Sequence, residues 1–503
     1  MKRPSRFAQA LLPAAATLVL SCSTASAQEQ LGSEGNVLLK NPYADATDKL
    51  FGRGLAAGDF DGDGTGDLAV SENSGTRLRI LRGQNWAVGA TGAVIKFFAS
   101  TVDLPAHSYS LASGDFDGDG RDEVAVDTTS GGPVNSGGVY ILDRAAGGSW
   151  SVQTEIRAGG AYPGAPQASA RLGSSLAVGD FNDDGYDDLA LGLRGQIVSG
   201  LDNAGAAMIT YGGAGGISAT GARLINRTND GLTFAPREDD YYGWALAAGD
   251  FDGDGADDLA VGVPNATCPD GSWRGGGVVV LRGSAANGIT NAQSRIWRPG
   301  VLGVAGDCNN TANFGQTLAT GRFDFNTYAD LAIGAPVGGS TPSAVHVLYG
   351  TNDGLDATSN QRIAAPAVPG DNDSRFGNSL ATGRLAHRCS GIICRGDSLV
   401  IGAPFTLVNG MSRAGVVWLV NAALGGALEP AGMRAIIPSP LLDIAAPQDN
   451  AQFGNALAIA DFNGDARADL AMGAYLYDDG ASADEGAVQV VYQSEYLFAD
   501  SFD

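Results

Sequence analysis

The chain is 503 residues long, 44% hydrophobic, and carries a formal net charge of -24 at pH 7, with 74 glycines and only three histidines. Such an acidic balance excludes nucleic acid and anionic membrane as partners and marks a chain that attracts cations. The apolar fraction suffices for a large core, and the glycines run along the whole length, so the chain reads as globular rather than disordered.

In chain order, the first element is a leader. Lys2, Arg3 and Arg6 precede an apolar run from Ala8 to Leu20, and Ala25-Ser26-Ala27 gives an A-x-A cleavage site, so residues 1–27 are expected to be a secretory signal peptide. A lipoprotein modified at Cys22 is the alternative, which Leu20 fits poorly. No later stretch approaches the roughly 20 apolar residues of a membrane span. The mature chain is therefore expected outside the cytoplasm, secreted or periplasmic, with no membrane span.

Residues 28–493 are expected to form one repeat domain and 494–503 a short tail. Seven copies of one pattern begin LAAGDFDGDGTGDLAV at 55, LASGDFDGDGRDEVAV at 111, LAVGDFNDDGYDDLAL at 176, LAAGDFDGDGADDLAV at 246, LATGRFDFNTYADLAI at 318, LATGRLAHRCSG at 380 and LAIADFNGDARADLAM at 457. A spacing of 56 to 77 residues is too long for a helical solenoid and right for a propeller blade. Each copy reads as four strands with no helical periodicity. The expected fold is all-β, a seven-bladed β-propeller of four-stranded antiparallel blades. The last copy ends at its third strand, AVQVVY (487–492), while NVLLKNP (36–42) resembles an outer strand, so the N-terminal strand is expected to close the ring.

The recurrent Phe-Gly pairs at 51, 314, 376 and 453 and the Gly-Ala-Pro runs at 334 and 402 flank the aspartate loop in register. In this the chain resembles the FG-GAP repeats that build the seven-bladed propeller at the N-terminus of integrin α subunits, over essentially the whole mature chain. The resemblance implies a calcium-binding interaction module and does not name a ligand.

The loop D-x-D-x-D-G-x-x-D places carboxylates at positions 1, 3, 5 and 9 with glycine at 6, the first nine residues of a calcium-loop pattern. All-oxygen ligands without histidine or cysteine point to Ca²⁺. Five structural sites are expected: Asp59, Asp61, Asp63 and Asp67; Asp115, Asp117, Asp119 and Glu123; Asp180, Asn182, Asp184 and Asp188; Asp250, Asp252, Asp254 and Asp258; and Asp461, Asn463, Asp465 and Asp469. The last has Ala466 in place of the turn glycine and should bind more weakly. In the fifth copy Arg322 stands at position 1, where its guanidinium is expected to replace the metal as a fixed cation. The sixth copy has lost the ligands and carries Cys389 and Cys394.

In such a blade the loops between strands 1 and 2 and between strands 3 and 4 share one face, so calcium lies on one side and longer, more varied loops on the other. The four cysteines after the leader read as two disulfides. Cys268 and Cys308 fall in loops on the opposite face and are paired, leaving Cys389 with Cys394. Candidate ligand contacts on that face are Tyr162, Tyr241, Trp273, Arg274, Tyr475 and Tyr477, residue types enriched at binding hot spots. Arg395-Gly396-Asp397-Ser398 resembles an adhesion tripeptide, a cheap match in a chain rich in glycine and aspartate.

His107, His346 and His387 lie in three different copies, with no H-E-x-x-H or G-x-S-x-G, so no catalytic site is expected. The leading expectation is a non-catalytic binding or adhesion module for a protein, cell-surface or polysaccharide ligand. A carbohydrate-binding lectin and a polysaccharide-acting propeller enzyme are the alternatives.

Overall fold

A computed structural model describes residues 37–40, 50–72, 77–83, 100–104, 110–129, 132–145, 148–271, 274–308, 313–337, 342–371, 373–385, 389–390, 393–394, 396–423, 426–438, 447–478 and 484–492. Seven four-stranded antiparallel sheets are arranged as blades of a propeller. Blade 1 contains strands Leu55–Gly58, Asp67–Glu72, Arg77–Leu81 and Ser100–Asp103, and blades 2 to 6 repeat that meander along the chain. The first strands neighbour one another in sequence order around the centre, and blade 7 returns to blade 1. Among the described residues there is no α-helix, only a single 3-10 turn at Pro430–Gly432.

Why these segments are strands follows from their surroundings. In six of the seven blades the second strand, such as Asp188–Leu193 or Asp258–Val263, is buried at every residue, and in blade 2 only Asp127 is half-buried, because neighbouring blades cover both of its faces. Continuous apolar runs rather than alternation are the consequence. The small residue in the middle of this strand in six blades, Ala69, Ala125, Ala190, Ala260, Ala332 or Ala471, is fully buried and leaves room for the next blade; blade 6 has Val400 there. Outer strands meet solvent: Ser100–Asp103 alternates in exposure, and Thr290–Trp297 is largely exposed until its last two residues, which are buried.

The ring closes as expected. Val37–Lys40 pairs antiparallel with Ala487–Val491, Val37 opposite Val490 and Lys40 opposite Ala487, and so supplies the outer strand of blade 7.

Blades are clasped to their neighbours on both faces of the ring. On the face away from the aspartate loops, the Phe-Gly motif opening a blade bridges to the glycine before the third strand of the preceding one: Phe51 to Gly486, Leu172 to Gly137, Tyr242 to Gly205 and Phe314 to Gly276. The aromatic ring fills the core between blades, with Phe51, Tyr242, Phe314 and Phe376 fully buried. The glycine has a geometric reason: Gly315 sits at φ +90°, and a Cβ there would lie 2.5 Å from the Gly277 carbonyl oxygen. Leu172-Gly173 and Tyr242-Gly243 occupy this place in blades 3 and 4, disguised in the sequence by the first residue.

On the loop face the clasp runs between aspartate loops. The amide of position 8 in one blade donates to the carbonyl of position 1 in the blade before: Asp122 to Asp59, Asp187 to Asp115, Asp257 to Asp180, Ala329 to Asp250, Asp397 to Arg322 and Gly66 to Asp461, all at 2.7 to 3.1 Å. Where position 8 is aspartate, its carboxylate takes the position-1 amide in return, from Asp59 to Asp122, Asp115 to Asp187, Asp180 to Asp257 and Arg322 to Asp397.

A disulfide joins Cys268 and Cys308, with Cα atoms 5.6 Å apart, and ties the loop before the third strand of blade 4 to the connection entering blade 5. Cys389 and Cys394 stand opposite each other in a two-residue antiparallel ladder.

Candidate metal centre and the opposite face

Each aspartate loop turns on its position-1 carboxylate. In blade 1, Asp59 Oδ1 accepts the amides of Gly62 and Asp63 and its Oδ2 accepts that of Gly64, all within 3.1 Å. Asp115, Asp180, Asp250 and Asp461 gather their own loops in the same way. The loop doubles back through left-handed residues at position 6, with Gly64 at φ +83°, Gly120 at +86° and Gly185 at +86°. Ala466 is forced into the same conformation at +63°, the strain expected of the seventh copy.

Position 9 reaches inward from the start of the second strand. Asp67 Oδ2 accepts the amide of Phe60 and Oδ1 that of Gly83, which follows the third strand, so one side chain staples loop and sheet together. Asp188 and Asp330 repeat both bonds, and Asp258 receives the corresponding amide of Gly283. Burial pushes the Asp67, Asp188 and Asp258 carboxyls up to about 7 against these stabilising amides, and Glu123 up to about 8.

Three loops bring carboxylates together: Asp59, Asp61 and Asp67; Asp115, Asp117 and Glu123; and Asp250, Asp252 and Asp254 each offer oxygens within 4.8 Å of one another. Asp61 Oδ1, Glu123 Oε1 and Asp258 Oδ2 are buried without a hydrogen-bond partner. A set of hard oxygens, mutually repelling and incompletely satisfied, fits a divalent cation. Asn182 and Asn463 replace one carboxylate in blades 3 and 7, where the loop hydrogen bonds are otherwise the same.

Blade 5 differs from the expectation. Arg322 is exposed and forms no ion pair among the described residues. The Asn326 side-chain amide crosslinks the loop instead, donating to Asp324 Oδ2 and to the Gly350 carbonyl, each at 3.0 Å. The Arg322 backbone amide and carbonyl are engaged by Asp397 as position 1 is in blades 1 to 3, but its long guanidinium side chain accepts no loop amides and is left exposed.

The Arg-Gly-Asp stretch is thereby explained. Asp397 is position 8 of blade 6 and completes the clasp on blade 5, Ser398 takes position 9 and donates to Asn421, and a Cβ at Gly396 would lie 2.5 Å from the Arg322 carbonyl oxygen. Asp397 is held by the backbone it binds rather than presented to a partner.

On the opposite face, Tyr241 packs edge-on against Trp244 with ring centroids 5.4 Å apart, and the Arg194 guanidinium lies 4.5 Å from the Trp244 ring centre. Arg274 reaches across to Asp239 and to the Glu238 carbonyl. Arg53 lies over Tyr475, whose hydroxyl donates to Gln452. Tyr162 is half-buried against the core between blades 2 and 3. Tyr477 is not a surface contact: it is 3% exposed in the core beside Phe453, Ala474 and Ala487, because the turn after Ala474 folds its ring inward. Trp273, His107 and His387 lie outside the described residues. His346 is 3% exposed and stacks edge-on upon Phe314, as expected of a structural histidine.

Two features escaped the sequence. The position-8 aspartates look like extra ligands but serve the neighbouring blade, and the doublets Asp187-Asp188 and Asp257-Asp258 were the available signal. A cleft of about 460 Å³ also opens beside the blade-3 loop, lined by Asn182, Asp184, Tyr211, Ser218, Thr220 and Arg223 among others.

Comparison with known proteins agrees with this architecture. The FG-GAP repeat family matches residues 172–207, 242–281 and 453–491, and an FG-GAP-like repeat matches 59–126. Integrin alpha-PS2 of Drosophila melanogaster is 31% identical over 54% of this chain and 17% of its own length, and integrin alpha pat-2 of Caenorhabditis briggsae is 29% identical over 42% and 16%. The phosphatidylinositol-glycan-specific phospholipase D of Homo sapiens is 30% identical over 42% of this chain and 24% of the enzyme. The likeness thus spans a quarter or less of each of these relatives. Among the described residues no helix is long and apolar enough to cross a membrane.

Proposed function

We propose that this FG-GAP repeat chain, an integrin-α-like propeller, is an exported, non-catalytic binding module braced by calcium, with about five structural ions on one face and a protein or polysaccharide ligand on the other. The supporting observation is the recurrence of one oxygen-lined loop at equivalent places on a ring; in three of these loops, among the described residues, carboxylates stand within 4.8 Å of one another. Asp59, Asp61, Asp63 and Asp67 and their counterparts would hold the ions, which supply the positive charge that those carboxylates lack. Tyr241, Trp273, Arg274 and Tyr475 are the contacts assigned to the ligand face, and a second disulfide is assigned to Cys389 and Cys394.

Thermal unfolding of the purified mature chain, with bound metal counted in calcium and in excess chelator, tests the reading. About five ions per chain and a lower melting temperature on chelation are expected. No bound calcium and an unchanged transition would sink it.

A carbohydrate-binding role is the second reading, favoured by the polar cleft beside the blade-3 loop. It predicts calcium-dependent retention on an immobilised polysaccharide that Tyr211→Ala weakens. The likeness to a phospholipase makes catalysis the third: turnover of a glycosylated phosphatidylinositol or a polysaccharide by the purified chain would overturn the non-catalytic assignment.

A further inference from the structure

We propose that the blade-2 loop is the tightest cation site of the propeller, and that Asp143, which lies outside the repeated motif, is the additional carboxylate that makes it so. The inference rests on the reading of these loops as calcium sites and goes beyond it in ranking them.

In blades 1 and 4 the residue that follows the third strand's last pair with the second strand reaches the loop. In blade 1, Leu81 pairs with Leu68 and the next residue is Arg82, whose Nε lies 3.3 Å from Asp61 Oδ2. In blade 4, Leu281 pairs with Leu259 and the next residue is Arg282, which forms an ion pair with Asp252. Tyr211, Tyr349 and Tyr492 hold this place in blades 3, 5 and 7. In blade 2, Leu142 pairs with Val124 and the next residue is Asp143. Position 3 of that loop, Asp117, meets no guanidinium among the described residues; it accepts the Asp119 amide at 3.2 Å and the Gln153 side-chain amide at 3.4 Å. Arg121 pairs with Asp119 at the rim, and Arg144 turns away to blade 1, 4.0 Å from Asp61.

Position 9 of the same loop is also altered. Glu123 Oε2 accepts the Phe116 amide at 2.9 Å, as its aspartate counterparts do. In blades 1, 3, 4 and 5 the other oxygen takes the amide of Gly83, Gly212, Gly283 or Gly350. Blade 2 has Arg144 at that point of the chain, and Glu123 Oε1 is left buried without a partner on a residue 1% exposed. A buried anionic oxygen without a donor is costly unless a cation faces it. Asp143 holds the register place from which Arg82 and Arg282 reach position 3 of their own loops, which sets it beside the same centre.

With Asp143 the blade-2 loop would have five carboxylates to offer, against four in blades 1 and 4, and calcium affinity rises with ligand charge. Arg82 and Arg282 work in the opposite direction. Each is a tethered cation that occupies a ligand oxygen of its own loop, so metal must displace it.

Calcium titration of the chelator-stripped full chain by calorimetry separates the possibilities. The wild type should show one ion bound more tightly than the rest. Asp143→Asn should weaken that ion about tenfold while the others are unchanged, and Arg82→Gln with Arg282→Gln should tighten two of the weaker ones. Near-ultraviolet circular dichroism of each loaded variant confirms that the ring is intact. Calcium uptake with the tight ion unaffected by Asp143→Asn would overturn the ranking alone. No calcium uptake by the wild type would overturn the loops as metal sites, and the ranking with them.

Discussion

Two side chains show how much local conformation is governed by the ring rather than by the residue. His346 is a neutral base in an apolar place: burial, with the Arg362 charge adding, lowers its pKa from 6.5 to about 4. A base whose pKa is depressed on folding takes up its proton more readily in the unfolded chain. Stability is therefore complete above about pH 6.5 and is lost as pH falls towards 4, by on the order of 3 kcal/mol from the size of the shift. Urea unfolding of the wild type and His346→Gln at pH 7 and pH 4.5 should show a smaller loss on acidification in the variant; equal losses would mean that His346 is not the group responsible. Ala466 carries the opposite lesson, since its φ of +63° is imposed by the loop rather than chosen by the residue. Ala466→Gly should stabilise the chain by about 1 kcal/mol and increase the calcium affinity of the seventh loop. A midpoint in urea that does not rise would contradict that account.

Single blades were legible in the sequence because each is built from local antiparallel meanders whose second strand is marked by a continuous apolar run. What joins the blades was not. The position-8 aspartates act on residues 63 to 77 positions away, and Leu172, Tyr242 and Phe314 of the Phe-Gly places act on glycines 35 to 38 positions away, each in a different copy; within their own copy they read as a ligand and a turn. Asp397 is the clearest case, because the aspartate of the stretch that resembles an adhesion motif is the blade-6 half of a clasp on Arg322. Tyr477 failed for a related reason: sequence gave its loop but not the direction of its side chain. Asp397→Ala removes the acceptor of the Arg322 amide and should cost about 1 to 2 kcal/mol by denaturant unfolding. A soluble Arg-Gly-Asp peptide should not compete with any surface the chain binds. Unchanged stability together with lost cell attachment would reverse that assignment.

Closure is the property that no single blade possesses. The inference from the copies was that the last blade lacks an outer strand and that the N-terminus supplies it, and the pairing of Val37–Lys40 with Ala487–Val491 is that strand. Its contribution is larger than its four residues suggest. Leu39 is 6% exposed and packs in the same core cluster as Phe51, Val488 and Val490, so the strand covers the joint between the first and last blades. Without it the third strand of blade 7 becomes a bare edge of unpaired amides and carbonyls, an invitation to association with other chains. Calcium cannot replace this joint: even at a dissociation constant of about 10⁻⁴ M in millimolar calcium, each ion would contribute only about 1.4 kcal/mol, spread over separate loops. A chain lacking residues 28–45 should therefore melt far lower than the intact one in saturating calcium, and it should aggregate at concentrations where the intact chain is monodisperse. If the truncated chain kept its melting temperature and its elution volume on size exclusion, the ring would have to be held by the inter-blade clasps alone. The terminal strand would then be only a covering for an edge that was already stable.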